Sequence, residues 1–196
     1  FLTFLIFLIL NIFDFRIFDS FNLSMTVISS GGFLPTNTLS TLLNTKTKEI
    51  IFSLVMLLSF FSLFFTYNLA LYKKKGIKFI QEDIYLIFYL LIITFVCFVL
   101  IDQSIDFSLI FLAISSSVSN IGLSMEETPN FLSFIFLILI IIGGSFYSTS
   151  SGLRLIKIYS LFKFSVNEMI SHAKPKNVFI NKLPFSDKII NIGDFY

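Results

Sequence analysis

Residues 131–162, FLSFIFLILIIIGGSFYSTSSGLRLIKIYSLF, decide the fold. As a helix the apolar run 131–142 reaches only about 18 Å, whereas the whole stretch would reach about 48 Å, against a bilayer hydrocarbon core of about 30 Å. Gly143, Gly144, Ser145, Ser148, Thr149, Ser150, Ser151 and Gly152 interrupt it with residue types that disfavour or compete with helical backbone. The expectation is a helix broken within a membrane, and non-helical backbone at that depth persists only where it is buried in protein or faces water. A simple packing kink is the alternative.

The surrounding sequence fits a lipid environment. Of 196 residues, 56% are hydrophobic, 28 are Phe and only 13% are charged, which leaves too little polar surface to cover a soluble core. Besides 131–162, apolar segments occupy 1–13, 49–72 and 84–101. The first reads as the end of a helix begun upstream, since the chain opens at Phe1 within an apolar run, as a fragment of a longer protein would. The second, at about 36 Å, reads as one continuous spanning helix. Lys73, Lys74, Lys75 and Lys78 follow it, and Lys157, Lys163, Lys174, Lys176, Lys182 and Lys188 follow the break, which assigns those sides to the cytoplasm. Asp14, Asp19, Asp102, Asp106, Glu126 and Glu127 mark the outer side, with Arg16, Lys46 and Lys48 as a modest countersignal. A net charge of +2 from 14 basic and 12 acidic residues excludes a nucleic-acid footprint. The single cysteine, Cys97, excludes an internal disulfide and a cysteine metal cluster.

Residues 17–48 and 103–130 each hold a moderately apolar stretch followed by a polar glycine turn, the pattern of a re-entrant segment. A shift of about 90 positions lays Ser29-Ser30-Gly31-Gly32-Phe33 over Ser119-Asn120-Ile121-Gly122-Leu123 and 49–72 over 139–162. The repeating unit is therefore helix, half-helix, glycine turn, helix, in an all-α membrane protein with a broken inner helix in the last repeat. A half-helix entering from outside points its negative dipole end at the membrane centre, and an extended return strand can aim carbonyls at a cation. Gly32 and Gly122 give that strand backbone angles costly for other residues. Hydroxyls of Ser29, Ser30 and Ser119 would tighten the turn or add oxygen ligands. One such turn alone reads equally as a loop or a packing glycine; two copies in register favour a selectivity filter.

Here the sequence resembles the TrkH/KtrB (Trk/Ktr/HKT) potassium transporters, which set four repeats of outer helix, pore helix, filter and inner helix around one pore. Val27-Ile28-Ser29-Ser30-Gly31-Gly32-Phe33 looks like the second filter of that family, and Val118-Ser119-Asn120-Ile121-Gly122-Leu123-Ser124 like the third. Gly143-Gly144-Ser145-Phe146-Tyr147-Ser148-Thr149-Ser150-Ser151-Gly152-Leu153-Arg154 resembles its G-G-x-x-x-S-T-x-G-G-[IL]-K signature. Ser151 stands for the second late glycine, Arg154 for lysine, Met56-Leu57-Leu58-Ser59-Phe60 for a glycine pair, and Asn120-Ile121 for small hydroxyl residues.

The resemblance implies a second-type repeat over 1–72, a third-type repeat over 73–162 and a cytoplasmic connection over 163–196. It implies potassium, with sodium left open, coordinated by backbone carbonyls near Gly32 and Gly122, and no cofactor. Gly143, Gly144, Ser148, Thr149 and Gly152 would form an intramembrane gating loop at 143–152. Its implied partners are the lipid bilayer, the missing first and fourth repeats of the same transporter, a second copy in a homodimer, and a cytoplasmic nucleotide-binding regulatory subunit. Its implied location is the plasma (inner) membrane of a bacterium. A truncated non-transporting remnant or membrane interaction subunit is the runner-up. A membrane enzyme comes third, because no catalytic constellation accompanies the lone His172. Arg154 and Lys157 are expected to snorkel to the cytoplasmic interface.

Overall fold

Leu2, Ile6 and Leu10 recur every fourth residue, all three are buried, and they define the inward face of α1 (Leu2–Ile12). In this computed structural model, which describes residues 1–63, 65, 77–100, 106–123, 132–145 and 147–173, that face meets α2 (Ile17–Ser29) and α3 (Lys46–Phe60). Lys73, Lys74, Lys75, Asp102, Ser124, Glu126, Glu127, Phe146, Lys174, Lys176, Lys182 and Lys188 lie outside the described residues. There follow α4 (Ile77–Leu100), α5 (Phe107–Ser119), α6 (Ser133–Ile141) and α7 (Leu155–Ala173). Between α6 and α7, the two-residue strands β1 (Ile142–Gly143) and β2 (Leu153–Arg154) pair in parallel, Ile142 opposite Leu153 and Gly143 opposite Arg154. The interrupted helix expected at 143–152 is thus present, its two ends held side by side across the loop.

Two apolar clusters share α3 and α5, which pack more extensively on each other than any other pair of elements. Met56 and Phe52 of α3 join Leu10, Leu23, Val27, Leu39 and Leu112 in one; Leu57 and Phe60 join Leu86, Leu90, Ile114, Val118 and Leu139 in the other. Four buried serines are accommodated because their hydroxyls return to helix carbonyls: Ser53 to Glu49 (2.7 Å), Ser59 to Met56 (2.7 Å), Ser115 to Leu112 (2.9 Å) and Ser119 to Ser115 (2.6 Å). The stretch Asp83–Leu100 of α4 is long and apolar enough to cross a membrane. Leu86, Leu90 and Cys97 face inward, while Phe88, Ile92, Phe95 and Val99 are each at least 60% exposed. A helix apolar on both faces suits lipid better than water.

One sequence expectation needs correction. The run 49–72 is not a continuous helix: α3 stops at Phe60, and Phe61 is extended (φ −77°, ψ 162°). Neither glycine nor proline causes the break. Ser59 and Phe60 instead give their carbonyls to the 143–152 loop, while Asp83 of α4 receives the Ser62 amide at 3.0 Å. Tertiary partners on both sides stand in for the missing helical bonds.

Candidate functional site

The two glycine turns share one backbone construction. Both α2 and α5 have 13 residues, and each ends in a left-handed residue, Ser30 (φ 49°, ψ 39°) and Asn120 (φ 57°, ψ 30°). The next amide in each turns back to its helix, Gly31 N to Thr26 O at 3.2 Å and Ile121 N to Ser116 O at 3.1 Å. Gly32 and Gly122 then take φ of 67° and 78°. Each turn thus has two positive-φ positions separated by one residue, and a non-glycine side chain at the second would be strained.

These turns lie against each other. The Ser30 hydroxyl donates to the Ser119 carbonyl at 3.4 Å, and a Cβ on Gly32 would sit 2.7 Å from the Ile121 carbonyl oxygen. Thr26 Oγ1 donates to the Phe33 carbonyl at 2.6 Å, fixing the return strand, while the Phe33 ring is 77% exposed. Ile121 and Leu123 are buried. Ser29, Ser30, Gly31, Gly32, Phe33, Ser119, Asn120, Ile121, Gly122 and Leu123 therefore form two adjacent turns, and the C-terminal, electronegative ends of α2 and α5 arrive at them. A cavity of about 360 Å³ opens beside the second turn, lined by Ser116, Ser117, Asn120, Gly122, Phe136 and Ile140. At the opposite ends of α3 and α5, exposed Lys46 and Asp106 pair at 2.7 Å, which puts the two on the same side of the molecule.

The 143–152 loop docks on the broken end of α3. Ser145 N donates to Phe60 O (3.2 Å), Thr149 N and Ser150 N both donate to Ser59 O (3.1 Å each), and Leu63 N donates to Tyr147 O (3.1 Å). Within the loop Gly144 N donates to Ser150 Oγ (3.1 Å) and Ser148 Oγ to Ser145 O (2.8 Å). Gly143 and Gly144 are buried where a Cβ would strike Ser151 O and Phe60 O respectively, so glycine is what lets the loop seat this closely. Asn120 Nδ2 donates to Ile140 O and Ser151 O, each at 3.0 Å, linking turn and loop.

Arg154 does not snorkel. Its Nη1 donates to Ser145 O at 2.8 Å and to Ser148 Oγ, and its Nη2 to Ser148 O at 3.3 Å, so the guanidinium closes the loop like a clasp. Sequence reasoning also passed over Asp83. This fully buried carboxyl accepts from Ser62 N at 3.0 Å and from Ser62 Oγ at 2.6 Å, while Ser62 Oγ accepts from Phe65 N at 3.0 Å. The buried Ser145 hydroxyl lies within reach of that carboxyl without a hydrogen bond of ordinary geometry. Among the described residues no group of three or more His, Cys, Asp or Glu side chains is placed to hold a metal ion.

The fold as a whole has a counterpart among solved structures. The crystal structure of the potassium transporter TrkH from Vibrio parahaemolyticus superposes with a TM-score of 0.73 over 93% of this chain, at 22% sequence identity. The chain has the TrkH fold. It spans 42% of the length of that TrkH chain. No family model and no curated protein matches the sequence. The TrkH-like architecture thus rests on three-dimensional arrangement far more than on sequence.

The clasp in this TrkH-like fold makes a direct prediction. Arg154→Ala should lower stability by about 2 kcal/mol, because hydrogen bonds from a charged donor are each worth roughly 1.5–3 kcal/mol when buried and less when half-exposed, as here. Arg154→Lys should recover only part, since an ammonium cannot reproduce a fork spanning the Ser145 and Ser148 carbonyls. Thermal unfolding in nanodiscs measures both; equal stability of all three proteins would show that the clasp holds nothing.

Proposed function

We propose that the chain forms the second and third pore-loop repeats of a potassium-uptake transporter of the bacterial inner membrane, conducting the ion without covalent chemistry. The observation that carries this is the pair of abutting turns, each left-handed at Ser30 or Asn120 and again at Gly32 or Gly122. Such backbone exposes carbonyl oxygens that can replace an ion's hydration shell, and the converging negative helix ends favour a cation over an anion. The carbonyls of residues 29–33 and 119–123 would supply part of the coordination. First and fourth repeats, from the same protein or a partner, would complete the ring. Sodium remains a second candidate ion, and the mechanism needs no cofactor. The loop carrying Gly143, Gly144, Ser148, Thr149 and Gly152 would constrict the path below the filter. A homodimer and a cytoplasmic nucleotide-binding subunit follow as proposals from the same likeness.

The test is rubidium uptake by potassium-starved cells carrying the complete transporter. Among the described residues no atom outside its own chain neighbours lies within 4 Å of where a Cβ on Gly122 would stand, so against them substitution there acts through φ. Gly122→Val should reduce uptake at least tenfold without loss of membrane insertion, because a β-branched residue is strongly disfavoured in the left-handed region. Gly122→Asn should retain much more, since asparagine enters that region readily. Unchanged uptake and rubidium-over-sodium preference in Gly122→Val would remove the filter assignment and favour a non-transporting interaction subunit.

A further inference from the structure

We infer that Asn120 is a positioning residue which couples the second glycine turn mechanically to the 143–152 loop; the consequence for transport rests on the loop acting as the gate. Three observations converge on this side chain. Its backbone is the left-handed residue that ends α5 and starts the turn. Both amide hydrogens are used on carbonyls from opposite sides of the break, Ile140 O in the last turn of α6 and Ser151 O in the loop, each at 3.0 Å. Gly152, with φ 94°, brings the loop so near that a Cβ there would lie 2.9 Å from Asn120 Nδ2.

The two acceptors explain why the link is strong. Ile140 O is a carbonyl that an unbroken helix would pair with residue 144, but Gly144 N is turned to Ser150 Oγ instead. Asn120 supplies the missing donor. If the loop swings away, the amide loses Ser151 O and the turn loses one of its two anchors. The corresponding residue of the other turn, Ser30, reaches Ser119 O, and among the described residues it makes no such bridge to the loop. Because the coupling acts on an equilibrium, it works in both directions: a turn held in shape favours the seated loop, and a displaced loop loosens the turn.

Two variants keep the left-handed backbone accessible while removing the donors, Asn120→Asp at constant size and Asn120→Gly. Hydrogen–deuterium exchange on the full chain in nanodiscs should show peptides covering 143–152 exchanging roughly tenfold faster in both variants, with α1 and α4 unchanged. In cells carrying the complete transporter the same variants should raise total rubidium uptake and lower its preference over sodium. Faster loop exchange with unaltered uptake would leave the coupling intact and overturn the gate assignment. Wild-type exchange in the loop of both variants, or a uniform rise across all helices, would overturn the coupling itself.

Discussion

Gly32→Val should abolish selective rubidium uptake and destabilise the protein more than the same change at Gly122. Two penalties coincide at Gly32. Its φ of 67° lies in the left-handed region, which costs a side-chain-bearing residue roughly 1–2 kcal/mol. Its missing Cβ would stand 2.7 Å from the Ile121 carbonyl oxygen, a backbone atom of the other turn that has no rotamer to yield with. Relief would require the two turns to separate, stretching the 3.4 Å contact from Ser30 Oγ to Ser119 O that joins them. Among the described residues Gly122 meets only the first penalty. Gly32→Ala separates the terms: it keeps the clash and most of the φ strain without the β-branch, so it should fall between wild type and Gly32→Val. Thermal unfolding in nanodiscs and rubidium uptake should rank the four proteins as wild type, Gly122→Val, Gly32→Ala and Gly32→Val in stability, with uptake selectivity lost at both valines. If Gly32→Val matches Gly122→Val in stability, the turns do not abut as described.

What the sequence made legible was whatever is caused locally. Gly143, Gly144 and Gly152 among five serines and threonines cannot sustain a helix, and the loop lies where that composition predicts. The glycine turns were legible through repetition, since Gly32 and Gly122 are unremarkable singly and informative in register. The break in α3 was not legible. Phe60-Phe61-Ser62 lies in an unbroken apolar run, and its helix ends because donors far along the chain, Ser145, Thr149 and Ser150, occupy the carbonyls of Ser59 and Phe60. Arg154 was misjudged for a related reason. A basic residue just past an apolar segment has the same local appearance whether it reaches for the interface or folds back on a loop, and only the positions of the Ser145 and Ser148 carbonyls separate the two. Asp83 borders the apolar run 84–101 with no local sign of its setting, whereas the fold buries it completely.

That burial makes Asp83 the residue whose loss should be felt furthest from its own position. The interruption of α3 creates two sets of unpaired groups, carbonyls above and amides below. The loop satisfies the upper set at Ser59 and Phe60, and Asp83 satisfies the lower, taking the Ser62 amide at 3.0 Å and the Ser62 hydroxyl at 2.6 Å. Ser62 in turn receives the Phe65 amide at 3.0 Å, so one carboxyl orders a small network at the start of the lower segment. Asp83→Ala removes the carboxylate acceptor of a buried amide and hydroxyl, at roughly 1–3 kcal/mol for each bond, and the expected loss is about 3 kcal/mol. Asp83→Asn keeps an acceptor for the Ser62 amide and nearly the same volume, so it should lose less than half as much. The damage should also reach the loop. Leu63 N donates to Tyr147 O from the same disturbed turn, so peptides covering 143–152 should exchange faster in Asp83→Ala even though no loop residue has changed. Unfolding in nanodiscs together with hydrogen exchange decides the matter: a stable Asp83→Ala protein with a wild-type loop would mean that the break in α3 holds without the carboxyl, and that the two halves of the interruption are independent.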